Sequence, residues 1–296
     1  MRQLTKCTLV LCLLLLCSTK FLLADPYVVD TTRPNLIFIF TDDQRYDETR
    51  ITGAPDWFVL PSIERIANEG VNFNRTYAPT SMCAPSRASI YTGLYAHQHG
   101  VEENGDFLPG DLIYIQEILK QQGYYTGFIG KYFNNTGTPT EFDYFVENDE
   151  ESVYKNLTYN VNGSPVFKAG HLTNAYNGFL QAFFDSVQVH DQPFALFFFH
   201  NAPHPPSSPR PEDQGAYFGL PMPFPQNFYN FPGPYPTYYA QTPTIWVKDS
   251  MQTNNLIEAR MECIKGVDYN VQTIFNFLDT HGITDSTCII YSSDNG

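Results

Sequence analysis

Five short segments carry side chains able to act together on an anion: Asp42-Asp43-Gln44, Cys83-Ala-Pro-Ser-Arg87, Gly130-Lys131, His200-Asn-Ala-Pro-His204 and Ser293-Asp294-Asn295. Asp42, Asp43 and Asp294, with the amide oxygen of Asn295, make an all-oxygen donor set. Such a set suits a hard cation, Ca²⁺ or Mg²⁺ rather than zinc, and Ca²⁺ is preferred because it tolerates irregular geometry. Asp42-Asp43 taken alone reads more readily as a turn or helix cap; the second cluster, on a separate segment, favours the metal site. Cys83 stands just before a helical pattern opened by Pro85, which predicts that it sits at a helix N-terminus. Unpaired amides and the helix dipole there favour an anion by roughly 0.3 to 2 kcal/mol, and Arg87 adds a fixed positive charge one turn in. On physics alone Cys83 is a buried structural cysteine, a low-pKa thiolate or a modified residue, and spacing does not choose among them.

The elements that must position these residues follow from the apolar runs. Leu36–Phe40, Tyr124–Ile129, Phe194–Phe199 and Cys288–Tyr291 are short and nearly all apolar, as strands buried on both faces are. Helical patterns lie between them at Ser62–Glu69, Ser86–Leu94, Leu112–Gln121, Thr173–Ser186 and Asn255–Leu278. The alternation predicts an α/β fold, a mostly parallel central sheet flanked by helices. Ligands of such sheets bind outside the carboxyl ends of the strands, and all four ends here run into the polar segments above. The stretch 203–243 holds twelve of the 22 prolines, interleaved with Tyr and Phe, and reads as a long ordered surface loop: a lid, a binding loop or an insertion without function. Glu147–Glu151 reads as a solvated acidic turn.

Cys83-Ala-Pro-Ser-Arg87 resembles the signature at which sulfatases convert cysteine to formylglycine. Arg33-Pro-Asn-Leu-Ile-Phe-Ile-Phe-Thr-Asp-Asp-Gln44 resembles the first strand and two metal carboxylates of that family, and Ser293-Asp-Asn-Gly296 its last metal-binding turn. Gly130-Lys131-Tyr132 resembles the turn with the sulfate-binding lysine, and His200-Asn-Ala-Pro-His204 the segment with a sulfate-binding histidine, placed at His204. The resemblance covers Arg33 to Gly296 and is closest to arylsulfatases and N-acetylglucosamine-6-sulfatases. It implies the alkaline phosphatase-like fold, formylglycine derived from Cys83, one Ca²⁺ held by Asp42, Asp43, Asp294, Asn295 and the modified Cys83, and a catalytic set of Cys83, Arg87, Lys131, His200 and His204. The partners it implies are an aryl or sugar sulfate ester and, during maturation, a formylglycine-generating enzyme.

Two departures from the family pattern stand out. Many sulfatases have a histidine two places after the lysine, assigned to proton abstraction, where this chain has Phe133. The expected substitutes are His200, favoured here, His204, or His97 and His99 after the signature helix, which read equally as residues of a turn. The chain also stops at Gly296, where sulfatases usually continue into a further active-site lysine and a C-terminal subdomain; the expectation is a fragment lacking both.

Compartment and partners are bounded by the rest of the chain. Arg2 and Lys6 precede an apolar run, and the pattern reads as a signal peptide over 1–24, leaving 25–296 as the catalytic domain without a transmembrane anchor. Sequons at Asn74, Asn134, Asn156 and Asn162 fit a glycoprotein of the secretory pathway, secreted or in a lysosome-like compartment. Cleavage leaves Cys83, Cys263 and Cys288, of which Cys263 and Cys288 form a pair or all three stay free. The formal charge of −14, with 17 Lys plus Arg against 31 Asp plus Glu, excludes a nucleic-acid partner. Two rival functions are a phosphodiesterase or phosphonate monoester hydrolase of the same superfamily and a non-catalytic glycan-binding protein using the Pro/Tyr-rich loop.

Overall fold

A computed structural model describes residues 33–133, 137–148, 150, 152–190, 192–224 and 250–296. The segment read as a signal peptide, the Asn134 sequon and positions 225–243 of the proline-rich stretch lie outside the described residues. The strands are β1 (Asn35–Thr41), β2 (Tyr125–Gly130), β3 (Tyr144–Glu147), β4 (Lys155–Val161), β5 (Ser164–His171), β6 (Phe194–His200) and β7 (Thr287–Ser293). They form one sheet in the order β5-β4-β3-β2-β6-β1-β7. The four strands expected from the sequence are β2, β6, β1 and β7, which pair in parallel and hold the site's segments at one edge.

Period-two alternation along β6 shows why a run of apolar residues becomes a strand at the sheet's centre. Phe194, Leu196 and Phe198 pack into one cluster, while Ala195, Phe197 and Phe199 pack into the other, and all six are fully buried. Covering both faces is what an all-apolar strand requires. One face is closed by α1 (Pro61–Glu69), α5 (Leu172–Val187) and α6 (Ser250–His281); the other by α2 (Cys83–Thr92) and α4 (Ile115–Gln121), with the single turn α3 (Ala96–His99) following α2. Aromatic rings fill the second face: Phe38 stacks on Phe197 at 4.7 Å, and Tyr91 on Phe199 at 5.5 Å.

The sequence reading missed β3, β4 and β5. β3 is four residues long and fully buried, too short to show a period. β4 and β5 are a polar antiparallel hairpin whose turn residues, Asn162 and Gly163, both have positive φ (49° and 85°), the requirement of a tight primed turn that Asn-Gly meets well. That dipeptide was the available signal. Glu147 also departs from expectation: it ends β3 and is buried, so the acidic run does not begin as a solvated turn.

The described part of the proline-rich stretch is irregular but anchored. Arg210 pairs with Asp213 at 2.5 Å and lies 4.1 Å over the Tyr269 ring of α6, while Tyr217 is buried against Trp57. Neither Cys263 nor Cys288 is bridged, which corrects the proposed pairing: Cys263 is buried within α6, whereas Cys288 faces outward on β7. Among the described residues no helix is long and apolar enough to cross a membrane.

Candidate active site

β1 and β7 run side by side, so their carboxyl ends deliver Asp42, Asp43 and Asp294 to one place. Backbone and side-chain bonds lace the two ends together. Asp294 N–H donates to Thr41 O at 3.0 Å, Asp43 N–H to Asp294 Oδ1 at 3.2 Å and Gln44 N–H to Ser293 Oγ at 3.0 Å. The three carboxylates each present an oxygen within 4.8 Å of the others. Asp43 adopts φ +66°, a left-handed conformation uncommon for a residue other than glycine.

Cys83 is the first residue of α2, as the sequence predicts, and its thiol donates to Asp42 Oδ1 at 3.1 Å. The Asn295 amide lies on its other side, with Nδ2 at 3.7 Å from Sγ. Burial, followed by the Asp42 carboxylate, pushes the Cys83 thiol up to about 12, so the low-pKa thiolate reading is not met. Arg87, one turn in and almost fully buried, lies 3.1 Å from Asp42 Oδ2 and 2.9 Å from Asp294 Oδ2. Its Nη1 donates to Lys131 O at 2.9 Å, tying the helix to the end of β2.

Lys131 is brought in by a close backbone crossing. Gly130 has φ +127°, and a Cβ there would sit 1.8 Å from Phe199 O, so only glycine lets β2 and β6 approach at this point. The chain then turns so that Lys131 Nζ meets Asp42 Oδ2 at 2.7 Å. His204, between the cis peptides Ala202–Pro203 and Pro205–Pro206, places a ring nitrogen within 4.8 Å of both Cys83 Sγ and an Asp42 oxygen.

His200 does not join this group. It is completely buried; Ala202 N–H donates to Nδ1 at 2.8 Å, which leaves the proton on Nε2, 3.4 Å from Thr173 Oγ1. The expectation that His200 supplies proton chemistry is therefore corrected: desolvation pushes its imidazole down to about 3 and keeps it neutral. His99 is likewise held by the fold, accepting from Val101 N–H through Nδ1 and meeting Ser89 Oγ through Nε2, while His97 is exposed beside Tyr95. Phe133 is buried in the aromatic face of the sheet.

The electrostatics of the group fit a divalent cation. Burial would raise Asp42, but Arg87 and Lys131 outweigh it and hold that carboxyl down at about 2. Asp294 is pushed up to about 7 by burial, with Asp42 adding to the rise, and Asp43 is raised by the same two causes. Three carboxylates against Arg87 and Lys131 leave negative charge in a desolvated space, where either a proton or a cation must compensate. An all-oxygen set of this kind suits Ca²⁺ or Mg²⁺. Sequence reasoning missed Glu48 and Arg260, which stand directly behind Asp43; 212 residues separate them, and no local pattern marks the pair.

The family model described as Sulfatase matches residues 34–296, and the chain belongs to the sulfatase family. It is 31% identical over 324 residues to the N-acetylglucosamine-6-sulfatase of Homo sapiens, an alignment covering 100% of this chain and 56% of that protein. It is 25% identical over 336 residues to the N-acetylglucosamine-6-O-sulfatase of Bacteroides thetaiotaomicron, covering 92% of this chain and 60% of the relative. The chain thus spans little more than half the length of these relatives. A solved structure of a protein in complex with its substrate D-glucosamine-2-N,6-O-disulfate superposes with a TM-score of 0.76 at 23% identity, covering 88% of this chain and 65% of that one. This likeness is one of fold: a central sheet flanked by helices.

Proposed function

We propose that this chain carries the catalytic centre of a sulfuric ester hydrolase acting on an aryl or sugar sulfate, with 6-O-sulfated glucosamine as the first substrate to test. The observation that carries the reading is the placement of Cys83 at a helix start, with Asp42 and a His204 nitrogen within 4.8 Å, beside three converging carboxylates. In this reading Cys83 matures to formylglycine, whose hydrated aldehyde supplies the nucleophile and whose second hydroxyl lets the sulfate depart by elimination. Asp42, Asp43, Asp294 and Asn295 would hold one Ca²⁺, which when bound supplies Lewis acidity and offsets the carboxylates.

The chain's own residues do the rest. Arg87 pairs with Asp42 and Asp294 and, through Lys131 O, fixes the turn that carries Lys131. Lys131 and His204 bind the anionic sulfate against the repulsion of the acids, in a site where exclusion of water strengthens each charge. Phe133 offers no proton, and His200 is locked in the core, so His204 holds and returns the proton in this reading. The domain reading goes with it: a signal peptide over 1–24 and a catalytic unit over 25–296 that includes the Pro/Tyr-rich stretch 203–243. Processing in the secretory pathway would modify Asn74, Asn156 and Asn162, all three exposed, and Asn134 as well. A formylglycine-generating enzyme is the partner required in maturation.

The test is peptide mass spectrometry of the chain secreted from a host competent for the conversion, followed by assay of Cys83→Ala. Formylglycine at position 83 and loss of sulfate release in the variant are expected. Unconverted cysteine, or a Cys83→Ala variant as active as its parent, would refute the mechanism. Faster turnover of phosphate diesters or phosphonate monoesters than of sulfate esters would move the chain to the related hydrolases.

A further inference from the structure

The turn that carries Asp43 is braced from behind by a largely buried ion pair. Arg260 reaches from α6 and forks onto Glu48, with Nε 2.8 Å from Oε1 and Nη2 2.9 Å from Oε2. The same Nη2 donates to the backbone carbonyl of Asp43 at 2.6 Å. Glu48 in turn accepts from Arg45 N–H at 3.0 Å, and its carbonyl accepts from the Gln44 side chain at 3.3 Å. The Glu48 side chain is 3% exposed and that of Arg260 12%. The brace therefore encloses residues 43–48 and closes on the residue with φ +66°.

We propose that Arg260, with Glu48, is a positioning residue for the cation site: it fixes the Asp43 carbonyl, and so the direction in which the Asp43 carboxylate faces Asp42 and Asp294. The inference rests on the proposed cation site and extends it to a residue 217 positions away in the chain. A left-handed Asp is costly by itself and persists where the surroundings over-determine it. Three of the five contacts of the brace come from one guanidinium. Its planar fork satisfies both Glu48 oxygens and the Asp43 carbonyl at once, which a lysine ammonium on its shorter, flexible stem does not reproduce. Groups that orient a metal's ligands from outside the coordination sphere typically change metal affinity by about 10- to 100-fold when removed.

The experiment is calorimetric titration of the secreted, metal-stripped chain with Ca²⁺, beside the thermal midpoint of the same metal-free samples. Arg260→Lys keeps a positive charge next to Glu48, so its metal-free midpoint should stay close to that of the parent while its Kd for Ca²⁺ rises about tenfold or more. Arg260→Met should weaken Ca²⁺ at least as far and also lower the midpoint, because Glu48 is left buried without its partner. A merely structural Arg260 would move the midpoint and not the Kd. Parental Ca²⁺ affinity in a folded Arg260→Lys chain overturns the inference and leaves the proposed function standing. Should Arg260→Met fail to fold, Arg260→Lys decides alone; a parent chain that takes up no Ca²⁺ overturns both the brace and the cation site.

Discussion

The burial of His200 makes acid sensitivity a measurable property of the fold. Its imidazole faces His171 and Arg210, which oppose a second positive charge, and Asp42, which favours one; desolvation dominates and brings it from 6.5 to about 3. A histidine depressed in the folded state contributes stability that is fully present above its unfolded value and is lost as pH falls towards the folded one, because the unfolded chain takes up the proton first. The full contribution, 3.5 pK units at about 1.36 kcal/mol each, is about 5 kcal/mol. Between about pH 7.5 and about pH 5, the same two values make the loss about 2 kcal/mol. His200→Asn tests this, since its amide oxygen can still accept from Ala202 N–H but does not titrate. Urea unfolding at both pH values should show the parent losing about 2 kcal/mol more than the variant. Parallel losses in the two proteins would refute the reasoning and return His200 to the list of groups that exchange protons in the site.

Lys131→Ala should raise KM and lower kcat for a sulfate ester together, because the ammonium is placed to hold sulfate in ground and transition states alike; an unchanged kcat/KM would remove it from the site. The variant should remain folded, since Arg87 still pairs with Asp42. Gly130→Ala should destabilise by about 3 kcal/mol or more, as both the left-handed φ and the approach to Phe199 O forbid a Cβ; a thermal midpoint near that of the parent would show that β2 and β6 separate more easily than the sheet implies.

The contrast between Arg87 and Arg260 shows how local and distant order divide the work at this site. Arg87 lies four residues from Cys83 on one helix, and a one-turn spacing already puts both at the same end of α2. Arg260 lies in the middle of a 32-residue helix whose residues face core and solvent in turn, and nothing near it distinguishes it from a surface arginine. Its partner Glu48 sits in an irregular turn for which sequence offers no period. The same division explains the histidines. His200 and His204 belong to one short segment and look interchangeable on paper; the end of β6 points the first inward and the turn after it delivers the second to Cys83.

By itself the sequence determined the four parallel strands, the helices between them and the polar character of every strand end, because periodicity, apolar runs and turn chemistry are local properties of the chain. It also determined that Cys83 begins a helix. The tertiary structure alone decided which of those polar ends meet, since β1 and β7 are brought together by hydrogen bonds across some 250 residues of chain. It alone decided that the Cys83 thiol is held up by burial and a neighbouring carboxylate and not lowered by the helix end, that His200 is neutral in the core, that Cys263 and Cys288 face different environments, and that a distant arginine clamps the Asp43 turn. Each of these depends on desolvation and on charges a few ångströms apart, and neither is a function of position along the sequence.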